Sequence, residues 1–430
     1  MYPVYKVPSA PHNLVITSVL LSLTVGCTPT KETDSAVEEI TWTKDIQPIV
    51  EQHCVRCHQG DGQGTGDFTD FATVDAMAPL ILDAIESGRM PPGSADPECH
   101  DYQDSDKFIV PEHSKDAIRA WIDGGKPFGD NADAQTYDRS MSSLENPTLI
   151  VQLQEPYTPT FTDTANPKNE YRCFALEHNQ TEPFYITALH PIIDNPSMVH
   201  HVVLAKANDN GILPGSDDKS GVDCIRDGSF IGGNYQDGAM LGGWAPGMSP
   251  VRFPENAGLM VRPTDHIVIQ MHYYQSETLE EGASDQSGYA FEITTEAPEH
   301  VISMFPLGLS DFTIPAGDES YTANDNFSIP VDILIWGVFP HMHVLGSGYS
   351  LSTENQCLIA SDNYDFDNQL TYMYNEPVLL PANQPFDLSC TWDNSATNPN
   401  QFANPPQDVG YGERTDEEMC FVFTLASIAR

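Results

Sequence analysis

The sequence predicts a multidomain chain: a short all-α part followed by a long β-rich one. Three observations carry this. At 430 residues the chain is long enough for two to four domains, and its 40% hydrophobic content supplies several cores. Helix-like stretches with polar and apolar faces fall before about residue 130. Beyond it they give way to runs of branched and aromatic residues punctuated by many of the 34 Pro and 30 Gly. Acidic residues number 62 against 19 basic, a net charge of -43, which argues against nucleic-acid partners and against charge docking to an anionic membrane. The acidic residues are spread along the chain, as on a solvated surface.

The N-terminus reads as an export signal. Lys6 and His12 precede the apolar run Leu14 to Leu23, too short for a comfortable membrane span. Gly26-Cys27 then resembles the bacterial lipoprotein cleavage box, in which the cysteine is lipidated, although the preferred leucine, Leu23, lies one place further back than usual. Residues 1–27 are thus expected to be a lipoprotein-like signal peptide and residues 28–40 a polar tether. The protein is expected to be exported to the periplasm or the outer membrane or cell surface, held there by a lipid anchor only. Export permits disulfides.

Residues 41–128 open on Thr43 to Val50, a helix that runs into Cys54-Val55-Arg56-Cys57-His58. C-x-x-C-H is the c-type haem attachment pattern: two thiols add to the haem vinyl groups and the next imidazole reaches the iron. A redox C-x-x-C or half of a zinc site are the other readings. The following His disfavours the first, and the lack of a second ligand pair the second. Ser87-Gly88-Arg89-Met90-Pro91-Pro92-Gly93 resembles the loop that delivers an axial methionine in class I cytochromes c, and Asp116 to Gly125 resembles their C-terminal helix, with Ile118, Trp121 and Ile122 on one face. The resemblance implies an all-α cytochrome c domain over 41–128, with covalent haem c on Cys54 and Cys57 and with His58 and Met90 as axial ligands. Asp96 to Pro111 is a polar insertion containing Cys99, and residues 129–146 read as a linker.

The remaining chain carries histidines on strand-like runs. His200-His201 enters Val202-Val203-Leu204; His272 closes the alternating run His266 to Tyr274; His341 and His343 follow Val331 to Val338. Side chains two apart on a strand share a face, so His341 and His343 stand side by side. Imidazole suits both copper states, and the thioether of Met419 favours Cu(I).

This order, with Met419 in Asp416-Glu417-Glu418-Met419-Cys420, resembles the copper type II, ascorbate-dependent monooxygenases, the family of peptidylglycine α-hydroxylating and dopamine β-monooxygenases. The resemblance implies two antiparallel, jelly-roll-like β-sandwich domains over 147–300 and 301–430, each holding one copper ion. His200, His201 and His272 would bind the electron-relay copper. His341, His343 and Met419 would bind the catalytic copper. Tyr171 and Gln270 match family positions near the first site. The other histidines match no ligand position.

The resemblance also suggests the bridges Cys173–Cys224 and Cys390–Cys420. Cys99 and Cys357 remain, as free thiols or as a bridge locking the first domain to the last. Phe339 stands where the peptide-amidating enzyme has the arginine that grips a carboxylate, and Phe421 and Phe423 replace polar residues. The pocket implied is apolar. The function expected is a monooxygenase that hydroxylates a C–H bond of an apolar or aromatic small molecule with O2. An external donor, ascorbate or a redox protein, would supply electrons through the haem. The alternative is a non-catalytic copper and haem electron-transfer protein.

Overall fold

A computed structural model describes residues 39–429 apart from 61, 63, 94, 140–141, 163–167, 225–237, 277–278, 413 and 415. The expected signal peptide and nearly all of the tether lie outside the described residues. Ile40–Arg430 is one compact unit. Among the described residues no helix is long and apolar enough to cross a membrane.

Helices occupy the first part. A single turn, Trp42–Ile46, leads into Gln47–His53, which carries Pro48 in its first turn, where no backbone donor is lost. Phe71–Glu86 is capped by Asp70, whose side chain accepts from the Thr73 N–H at 3.0 Å. Its buried Val74, Ala78, Ile81 and Ile85 follow helical spacing. Glu112–Asp123 buries Ile118 and Trp121 and stops at Gly124-Gly125, where Gly125 takes φ +84°. Trp121 packs beside Trp42 with ring centroids 6.1 Å apart.

The expectation of a separate all-α cytochrome c domain is corrected here. Strands make up 38% of the molecule and helices 13%, so the fold is mostly β. The helical part is not self-contained either. Tyr102 and Phe108, from the stretch taken as a polar insertion, and the adjoining Ala95 join the hydrophobic core of the β body rather than that of the helices. Tyr102 is 2% exposed and bridges to Tyr374; the Asp96 N–H donates to the Ala360 carbonyl at 2.7 Å. Two aromatics among charged residues had the signature of a buried docking segment, not of a surface loop.

The β-rich body stands, but its halves are not two independent antiparallel sandwiches. Among the described residues one nine-stranded sheet runs through both, in the order Leu149–Gln152, Gly288–Thr294, Phe184–Ile192, Ala257–Val261, His300–Leu309, Cys420–Ile428, Ile333–Met342, Tyr372–Leu380, with Val251–Arg252 beside the third. The halves meet at a parallel pairing, Ala257–Val261 with His300–Leu309. A five-stranded sheet belongs to the first half: Val222–Asp223, Asn169–Leu176, His266–Tyr274, Val199–Ala207, Gly238–Trp244. A four-stranded sheet belongs to the second: Tyr321–Ser328, Pro385–Trp392, Gly346–Thr353, Gln356–Ser361. Central strands such as His266–Tyr274 bury Ile267, Val268 and Ile269 in succession, so they read as continuous apolar runs.

Among the described residues three disulfides close the fold: Cys173–Cys224, Cys390–Cys420 and Cys99–Cys357. The last ties the helical part to strand Gln356–Ser361, and all three imply an oxidising compartment.

Candidate metal centres

The first histidine set is built by strand register. Val199–Ala207 pairs antiparallel with His266–Tyr274, placing His201 opposite His272. Consecutive residues on a regular strand face opposite ways, which would separate His200 from His201. The register shifts between Val199 and His201, and this irregularity lets both imidazoles turn to one side. Candidate ligand atoms of His200, His201 and His272 lie within 4.8 Å of one another. Asn169 Oδ1 is 2.6 Å from His272 Nε2, and accepting its proton leaves the Nδ1 lone pair turned toward His201 Nδ1 at 3.3 Å. His200 Nδ1 and His201 Nε2 are buried without a hydrogen-bond partner. Burial pushes the imidazole of His200 down to about 4 and that of His201 to about 3, and it holds His272 well below its ordinary range. Three converging neutral imidazoles, two of them with an orphaned nitrogen, fit a copper ion.

Tyr171 lies opposite His272 in the neighbouring strand, its ring stacked on the imidazole. Gln270 precedes His272 by two residues on the same strand. Its Nε2 reaches Cys224 Sγ at 3.5 Å.

The second set lies where strand Ile333–Met342 ends. His341 and His343 face one side, ring centroids 5.3 Å apart and planes at 86°. His341 Nδ1 is 2.8 Å from Gln369 Oε1, and His343 Nδ1 is 3.0 Å from the Glu417 carbonyl. Both acceptors fix the proton on Nδ1 and leave each Nε2 lone pair free. Burial pushes His343 down to about 3 and lowers His341 as well. The register pairs His341 with Phe421 and Met342 with Cys420, so it continues toward Met419 across from His343. Met419 is half-buried. Phe339 and Phe423 flank His341 at 6.4 and 6.2 Å between ring centroids, and Phe421 lies 5.8 Å from Phe423. This wall is apolar.

Two residues here were missed in sequence. Gln369 sits in a polar connection with no motif. Glu418 is buried, and its carboxylate accepts from the N–H groups of His343, Leu345 and Met419 and from the Trp392 indole. Burial nevertheless pushes Glu418 up to about 8. The available signal was an acidic residue directly before Met-Cys at the start of a core strand.

The thiol pair lies apart from these sets in sequence, at the end of helix Gln47–His53. Cys54 and Cys57 are free. Burial pushes the Cys54 thiol up to about 12 and raises that of Cys57, so both are protonated. His58 Nδ1 is 2.9 Å from the Thr65 carbonyl, and Phe68 stacks on the ring at 4.2 Å. A Cβ at Gly64 would come within 2.6 Å of the imidazole. Met90 stands in the loop after helix Phe71–Glu86, 41% exposed.

Residues 158–280 match the copper type II ascorbate-dependent monooxygenase N-terminal domain. The chain is 26% identical over 252 residues to DBH-like monooxygenase protein 2 of Mus musculus, covering 53% of this chain and 38% of that protein. It is 25% identical over 274 residues to DBH-like monooxygenase protein 1 of Homo sapiens, covering 57% and 42%. The chain thus spans about two fifths of the length of these curated relatives. Among solved structures, the major capsid protein P2 of bacteriophage PM2 aligns over 61% of this chain and 98% of that one at 9% identity, with a TM-score of only 0.24. The matched segment contains His200, His201 and His272 on the strands described above, and over it the chain is similar to the N-terminal domain of the copper type II, ascorbate-dependent monooxygenases.

Proposed function

We propose that this protein is a two-copper monooxygenase that hydroxylates a C–H bond of an apolar or aromatic small molecule. The observation that carries the reading is the convergence of His200, His201 and His272, their candidate ligand atoms within 4.8 Å of one another, beside a second pair with free Nε2 atoms. His200, His201 and His272 would hold the electron-relay copper. His341, His343 and Met419 would hold the catalytic copper. Copper supplies one-electron chemistry and an O2 site. The balance is R–H with O2, two electrons and two protons giving R–OH and water. Phe339, Phe421 and Phe423 select an apolar substrate and exclude water beside His341. Gln369 and the Glu417 carbonyl hold the two imidazoles in one tautomer. The electrons come from an external donor, ascorbate or a redox protein.

Cys54 and Cys57 would carry a covalent haem on that electron route, with His58 and Met90 as the candidate ligands to its iron. Two neutral thiols and an imidazole whose Nδ1 is already bonded to Thr65 support this, since the Nε2 lone pair is then available. A non-catalytic electron-transfer protein is the second reading. It is favoured by the burial of His343 and Phe339, which are 4% and 0% exposed.

Metal and haem stoichiometry on purified protein, followed by O2 consumption against a panel of aryl and alkyl compounds, tests these readings. Two coppers per chain and O2 uptake matched by hydroxylated product are expected, with His343→Ala losing turnover. Zinc, or no metal, overturns the reading. Copper without product leaves the electron-transfer one.

A further inference from the structure

The connection between strands Gln356–Ser361 and Tyr372–Leu380 touches both histidine sets and the helical part. Three consecutive residues divide the task. The Asp367 carbonyl faces His201 Nδ1 at 3.4 Å. The Gln369 side chain holds His341 Nδ1 at 2.8 Å, and its amide nitrogen donates to the Phe366 carbonyl. Between them, Asn368 Nδ2 donates to the Pro92 carbonyl, on the turn that follows Met90. Gly93 takes φ +62° there, and a Cβ on it would stand 3.0 Å from the Asn368 side chain.

The rest of the connection is pinned on the same two sides. Asn363 Nδ2 donates to the Gly88 carbonyl and the Tyr372 hydroxyl to that of Gly93. Thr371 Oγ1 accepts from the Gly243 N–H and donates to the Gly243 carbonyl, beside the His200–His201 strand. Tyr364 Oη bonds both the N–H and the carbonyl of Met342, between His341 and His343. A polar loop without such ties would leave the distance between the two histidine sets to loop fluctuation.

We propose that Asn368 is a positioning residue: by anchoring Asp367-Asn368-Gln369 to the Pro92-Gly93 turn, it makes the helical part a spacer that sets the separation of the two histidine sets. This goes beyond the two-copper reading and uses it only for one readout. The full chain, loaded with copper(II), is compared with Asn368→Ala by the magnetic dipolar coupling between the two ions. The variant is expected to lose the single well-defined coupling of the parent while binding as much copper. Asn363→Ala, which removes a tie between the same connection and the helical part, at Gly88, but none near a histidine, is expected to retain it. An Asn368→Ala coupling identical to the parent's overturns the proposal.

Hydrogen exchange on the metal-free protein is the second measurement. Faster exchange of residues 362–371 and of the amides around His201 and His341 in Asn368→Ala is expected, and unchanged exchange overturns the proposal. If no copper binds to the parent, the two-copper reading fails, and the exchange measurement alone decides the positioning role. Circular dichroism separates both results from global unfolding.

Discussion

Tyr171 lies flat on His272, ring centroids 4.2 Å apart and planes 9° from parallel, and this contact fixes the imidazole that faces His201. Tyr171 is 8% exposed, so its ring is part of the packing as well as of the site. Tyr171→Phe keeps the stack and should change neither stability nor first-site copper affinity measurably. Tyr171→Ala should cost about 3 kcal/mol in a denaturation midpoint. It should also weaken copper binding at His200, His201 and His272 in a titration. Equal copper affinity in the two variants would show that the stack does not orient His272.

Glu418 collects four donors in a buried site. Glu418→Gln replaces an acceptor oxygen by an NH2 group that must face backbone N–H groups, leaving one of them unsatisfied. A loss on the order of 2 kcal/mol is expected by chemical denaturation above pH 8, where the carboxyl is ionised. Copper uptake by the second set should fall more than uptake by the first, because the His343 and Met419 backbones lose a shared anchor.

Cys99 and Cys357 are half-buried, whereas Cys173, Cys224, Cys390 and Cys420 are at most 2% exposed. A mild reductant should therefore open Cys99–Cys357 first, as read by alkylation and peptide mass mapping. The Cys99→Ser, Cys357→Ser double variant should be less stable by about 2–4 kcal/mol. Its residues 88–103 should become the earliest protease-sensitive segment. First cleavage elsewhere would count against the bridge as the tie of the helical part.

His190 gives a pH signature outside the metal centres. Its burial pushes the imidazole from 6.5 down to about 4. Below pH 6.5 the unfolded chain takes up a proton that the native His190 refuses. Stability present above pH 6.5 is lost as the pH falls toward 4, by on the order of 3 kcal/mol from this group. His190→Leu should flatten the slope of stability against pH over that window in the metal-free protein. An unchanged slope would assign the acid sensitivity to other groups.

The sequence made the histidines legible because each ligand candidate sits on a short strand-like run, and strand periodicity says which way neighbours point. It also made Phe339 legible as a departure, and the structure puts that ring beside His341. What stayed hidden depends on contacts between residues far apart in the chain. Gln369 and the Asp367 carbonyl act only because their loop folds across both sets, and no local pattern encodes that. Glu418 looked like one more acid in an acidic run; its burial comes from strands that arrive from Trp392 and His343. The failure over Asp96 to Pro111 had the same origin. Local polarity suggested solvent, while Phe108 joins the core of the β body and Tyr102 has partners far along the chain, Tyr372 and Tyr374.

The parallel pairing of Ala257–Val261 with His300–Leu309 has a consequence for how the chain reaches its native state. Neither half completes its sheet alone: cutting the connection at 295–299 would leave each fragment with a bare strand edge. Pairs such as Leu149 with Phe291 and Ile333 with Ile428 close long loops, so the rate-limiting event should be the joining of distant segments, and folding should be slow. Fragments 39–296 and 297–430 expressed separately should aggregate, and co-expressed they should assemble into one particle. Independent, monomeric folding of either fragment would mean that the common sheet is a seam rather than a nucleus.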